Sequence, residues 1–65
     1  MKVKYFEDTD TLYIEFRQSE IAESRDLDEN TILDMDAQGS VCAITFEHAS
    51  KRTDVRHLKV EGIAV

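Results

Sequence analysis

Sixty-five residues, with no proline and two glycines, make one domain at most, and a chain of this size buries only about 60% of the surface its unfolded form exposes. Fourteen acidic against eight basic side chains leave a formal charge of -6, which opposes attraction to phosphate and argues against nucleic acid as a direct partner. The single cysteine, Cys42, rules out an internal disulfide and a zinc site of its own, so the extra stabilisation that small domains need is expected from self-association.

The opening "MKVKYFEDTD" meets acidic residues early, holds no apolar run long enough for a signal peptide, and is followed by nothing resembling a membrane span. A cytoplasmic protein is expected, in keeping with an unpaired cysteine. "KVKYF" alternates Val3 and Tyr5 with Lys2, Lys4 and Phe6, and "TLYIEF" alternates Leu12, Ile14 and Phe16 with Tyr13 and Glu15. Both read as strands, and "EDTD" between them has turn composition, so residues 2–17 are expected to form a hairpin. "IAESRDLDEN" reads as a polar, extended edge segment whose charges discourage pairing with other chains.

"TILDMDA" and "SVCAITFEHA", residues 31–37 and 40–49, form the strongest pair and predict a second hairpin. After it "SKRTDVRHL" loses the alternation, which predicts a short helix or helical turn capped by Ser50 or Thr53. "KVEGIAV", residues 59–65, is open between a fifth strand, a dimer contact and a frayed tail. The fold class expected is α+β, mainly antiparallel β, with two β-hairpins forming a small sheet plus a short C-terminal helix or helical turn, in one β-rich domain over residues 1–65.

Asp34, Asp36, Gln38 and Gly39 fall at the first, third, fifth and sixth positions of an EF-hand loop. That loop needs a carboxylate where Thr45 stands and helices where strands are expected, so calcium is rejected in favour of a turn. Asp36 and Gly39 suit the first and last positions of a type I turn. Two registers follow. A plain two-residue loop pairs 36 with 39 and groups Leu33 and Met35 with Cys42, Ile44 and Phe46; a bulge at Gly39 pairs 36 with 40 and moves Asp34 beside Cys42. The first is preferred for its cleaner apolar face.

With the hairpins placed, the chain resembles a small prokaryotic family, the domain of unknown function numbered 2283. The likeness rests on Asp10, Leu12, Tyr13 and Ile14 of "YFEDTDTLYIEF", on Glu23 and Ser24, on Asp34, Asp36 and Gly39, and on Ala49, Ser50, Lys51 and Arg52. It departs at Ala43, where glycine is expected, and at Thr45, which replaces a common acid. The resemblance implies a compact β-rich fold and a stand-alone cytoplasmic protein, and it transfers no activity, cofactor or catalytic residue. Family members are sometimes discussed as partners of small toxin-like proteins.

No catalytic, cofactor-binding or metal-binding residue is assigned. Cys42 and His48, six apart on one expected strand, are roughly 20 Å from each other, too far for a nucleophile and its base; Cys42 is expected in the core. His48 and His57 with Asp54 or Glu47 lack a dense ligand spacing. Glu23, Asp34 and Asp36 offer carboxylates for glycosidic chemistry, but so small a domain hardly provides the pocket. Ser50, Lys51, Arg52, Arg56, His57 and Lys59 gather positive charge, either as a solvated face, the favoured reading, or as a contact for the acidic side of a twin subunit. The expected function is a non-enzymatic protein-interaction module that self-associates by burying a sheet face or edge, with Phe16, Ile44 and Phe46 inside the sheet packing and "GIAV" available for the contact. The alternatives are an antitoxin-like protein whose Asp26, Asp28 and Glu29 block a small basic partner, and a metal-binding protein using Asp34, Asp36 and a histidine.

Overall fold

A computed structural model describes residues 1–57 of the chain. The expected C-terminal segment of residues 59–65, with "GIAV" and Lys59, lies outside the described residues. Five strands, β1 (Lys2–Phe6), β2 (Thr11–Glu15), β3 (Glu23–Asp28), β4 (Thr31–Met35) and β5 (Val41–Phe46), form one sheet in the order β1-β2-β5-β4-β3, and every neighbouring pair is antiparallel. The sheet is confirmed, while the α+β label is corrected. Among the described residues the only helical pieces are two 3-10 turns, Ala49–Lys51 and Val55–His57, because a run this short and polar cannot repay the cost of nucleating an α-helix.

The expected hairpins are present, and a third joins them. Residues 7–10 connect β1 to β2, with Phe6 opposite Thr11. The edge segment "IAESRDLDEN" supplies β3, all six of whose residues are exposed, and it folds back on β4 through a turn in which the Asn30 amide donates to Asp28 Oδ1 at 2.8 Å. β5 then inserts beside β2 and becomes the central strand. Residues 16–22 must therefore travel from β2 to the far edge, three strand spacings or about 14 Å away, a distance that seven residues span easily.

The β4–β5 register corrects the preferred loop. The Gly39 amide donates to the Asp36 carbonyl and the Asp36 amide to the Ser40 carbonyl, both at 3.0 Å, so 36 pairs with 40 and Gly39, at φ 82, is the left-handed bulge residue that glycine tolerates best. A second irregularity follows at once: Met35 faces Val41 whereas Asp34 faces Ala43. The two shifts together put Leu33 opposite Ile44, and Ile14 also faces Ile44. Leu33 and Ile44 thus share a face as in the plain loop, by a different route, while Met35 faces Val41.

Val3, Ile14, Ile44 and Leu33 form one row across the sheet, ending at Arg25 on β3, and Tyr5, Leu12, Phe46 and Thr31 the next, ending at Asp28. The opposite face carries Lys2, Glu15, Ala43, Asp34 and Ser24 in one row and Lys4, Tyr13, Thr45, Ile32 and Asp26 in another. Among the described residues the buried apolar set is Leu12, Cys42, Ala43 and Ala49. Ile44 and Phe46 are half-buried, and Phe16, expected inside the packing, is 45% exposed, because two consecutive amides, Phe16 and Arg17, both donate to the Cys42 carbonyl and the chain there leaves the ladder.

Candidate functional site

The 3-10 turn after β5 is held at both sides of the sheet. On one side Asp10 receives it: Asp10 Oδ1 accepts the Ser50 amide at 3.0 Å and Oδ2 accepts the Ser50 hydroxyl at 2.7 Å, while the Asp10 carbonyl accepts the Ala49 amide at 2.9 Å. Tyr5 donates its hydroxyl to the same Oδ1 at 2.5 Å. On the other side Arg52 stacks over the Phe46 ring, 5.1 Å from its centre, and donates to the Asn30 carbonyl at 2.9 Å, with Asp28 4.0 Å away. Residues 49–53 consequently bridge the β1–β2 and β3–β4 loops across one end of the apolar face, above a cavity of about 290 Å³ lined by Leu12, Ile14, Phe46, Ala49, Arg52 and Thr53.

This arrangement corrects the expected caps. Ser50 is capped from another strand pair instead of capping; His48, at φ 54, occupies the N-cap position without a side-chain bond. In the second turn Asp54 does the work expected of Thr53, its Oδ1 accepting the Arg56 amide at 3.2 Å. Hydrogen bonds from Tyr5 and then Ser50 hold the Asp10 carboxyl below its ordinary value, and the bond to Asp10 raises the Tyr5 phenol. Asp28 is lowered first by the Asn30 amide and then by the Thr31 hydroxyl. That hydroxyl is buried and meets full hydrogen-bond geometry with no partner, so its influence on Asp28 is one of proximity.

The acidic spacing resolves into separate tasks. Asp36 Oδ1 accepts the Gln38 amide at 2.9 Å and the Ser40 amide at 3.0 Å; its Oδ2 lies 3.3 Å from the Arg17 guanidinium without hydrogen-bond alignment. Asp36 is only 6% exposed, with the Arg17 guanidinium against it. Asp34 accepts the Ser24 hydroxyl at 2.6 Å across to the edge strand, and Glu23 takes Arg25 at 3.0 and 3.1 Å. The three carboxylates weighed for glycosidic work are thus each engaged by partners of their own.

Cys42 is fully buried at the bulge end of β5, and His48 is exposed beyond its other end. His57 Nδ1 lies 2.7 Å from Asp54 Oδ2. Among the described residues no group of three or more His, Cys, Asp or Glu side chains is arranged to hold a metal ion. Of the positive cluster, Ser50 and Arg52 are committed to Asp10 and to Phe46 and Asn30, whereas Lys51 and Arg56 are exposed. Sequence reasoning missed the Tyr5–Asp10–Ser50 cluster. Its signal was present in the acidic turn and in "ASK", but nothing local says that residues 40 apart meet.

Among the described residues no helix is long and apolar enough to cross a membrane. No curated protein and no solved structure matches the chain. The family described as "Protein of unknown function (DUF2283)" matches residues 2–50, from the first strand through the serine bound to Asp10, and the chain belongs to that family.

Proposed function

We propose that the protein is a non-enzymatic cytoplasmic interaction module that self-associates through the apolar face of its sheet. The observation that carries this reading is a sheet with one polar and one apolar face, the second covered among the described residues only at the end where residues 49–53 cross it. A sheet hydrophobic on one face gains stability by packing that face on another layer, and a second copy supplies an identical one, giving two aligned sheets about 10 Å apart. The broad dimensions of 33 × 32 Å outline a face on the order of 1,000 Å², enough for the roughly 800 Å² per partner of a stable interface.

Multi-angle light scattering at micromolar concentration tests the reading, with a dimer mass expected. Val3→Lys places a charge on an exposed position of that face and is expected to give a folded monomer. A wild-type chain that stays monomeric and folded overturns the proposal, including the case in which residues 58–65 of the same chain take the place of the second copy. The metal-binding alternative has less support, since Asp34 and Asp36 are already bonded to Ser24 and to backbone amides; an unchanged native mass after adding metal would dispose of it. Neutralisation of a basic partner draws on the acidic surface.

A further inference from the structure

The sheet has two edges, and they differ in sign. β1 carries Lys2 and Lys4, whereas β3 reads Glu23, Ser24, Arg25, Asp26, Leu27, Asp28, with Arg25 already bound to Glu23. In the pairing of β3 with β4 the register shifts between Asp26 and Asp28, so Leu27 drops out of the ladder. It is 64% exposed, more than any other exposed large hydrophobic residue among those described.

A lone exposed leucine is ordinary. Here it sits at an open sheet edge, between two aspartates and two residues before Glu29, on a strand whose described pairing is with β4 alone. Bulges at edges re-aim a side chain and end regular pairing. Charge decides which chain can approach: the β3 of a second copy brings like charges against Asp26 and Asp28, while a basic strand meets complementary ones. An apolar anchor inside a charged rim is also the usual anatomy of an interface hot spot.

We infer that the β3 edge docks an extended basic segment of another protein, which adds to the sheet as a further strand, covers Leu27 with an apolar side chain and sets Lys or Arg against Asp26. This goes beyond the self-association reading and uses a different surface.

The test is a titration of the isotope-labelled full chain with a blocked peptide alternating lysine and valine, followed by amide chemical shifts, with the glutamate–valine peptide of equal length as control. Saturable shifts concentrated on residues 23–28 are expected, with affinity falling about tenfold in Leu27→Ser, the scale of one truncated anchor, and falling again in about 0.5 M salt. Leu27→Ser and Asp26→Asn leave the fold intact, since neither side chain is buried; Asp28 is spared because it caps the Asn30 turn. Equal binding by Leu27→Ser, shifts centred on β1 or the apolar face, or no saturation below about 1 mM peptide overturns the proposal. So do β3 shifts that depend on protein concentration without peptide, which would assign the edge to the lysine-bearing β1 of a second copy.

Discussion

Asp10 closes the β1–β2 loop in a left-handed conformation, φ 52, and binds Tyr5 and Ser50 with one carboxylate. Its lowered pKa means that the folded chain holds fewer protons than the unfolded chain near the carboxylate range, so this stabilisation is present at neutral pH and is lost as pH falls below about 4. Tyr5 has the opposite sign. Its pKa is raised, so the folded chain keeps a proton the unfolded chain gives up, and that contribution is lost as pH rises above about 10. Thermal midpoints measured against pH are expected to lose their acid slope in part in Asp10→Asn, and absorbance of the phenolate is expected to move toward lower pH for the same variant. At Gly39 a Cβ would meet nothing within 4 Å, so Gly39→Ala carries only the backbone cost of φ 82, about 1 kcal/mol. Asp36→Ala removes the acceptor of two amides and is expected to cost about 2 kcal/mol; urea melts giving the reverse order would contradict this account of the turn.

The β4–β5 hairpin shows how an element absorbs a local irregularity. The bulge at Gly39 alone would turn Asp34 onto the apolar face, and the shift between Asp34 and Met35 reverses that consequence. The row of Ile14, Ile44 and Leu33 outweighs a regular loop because a slip of one residue exposes every apolar side chain of the strand. β4 begins with Thr31, buried opposite Phe46 with its hydroxyl lacking an aligned partner. Thr31→Val keeps the branched shape that strands favour and removes an unsatisfied polar atom, so a gain of roughly 1 kcal/mol is expected. A lower melting temperature would mean that the contact with Asp28 is worth more than its geometry suggests.

For the molecule as a whole, the sheet's two faces and two edges present four different surfaces, and the proposals assign two of them. Packing of the apolar face on a second copy is read from oligomer mass, with Val3→Lys as the variant, whereas occupation of the β3 edge is read from local amide shifts. Their outcomes are independent. The 3-10 turn contributes to both, since Arg52 reaches the β3–β4 loop while Ala49 and Thr53 bound the apolar face.

Alternation by itself determined the first hairpin, the strand character of β4 and β5, and the edge position of β3, because a period of two and the charge of an exposed strand are local properties. The family resemblance was likewise readable from ordered short motifs, and residues 2–50 bear it out. Only the tertiary structure decided that β5 lies between β2 and β4, that Arg17 pairs with Asp36, and that Tyr5, Asp10 and Ser50 meet. Those contacts join residues up to 40 positions apart, and a strand's choice of neighbour depends on which apolar rows match across the sheet, a property of pairs of segments that no single segment carries.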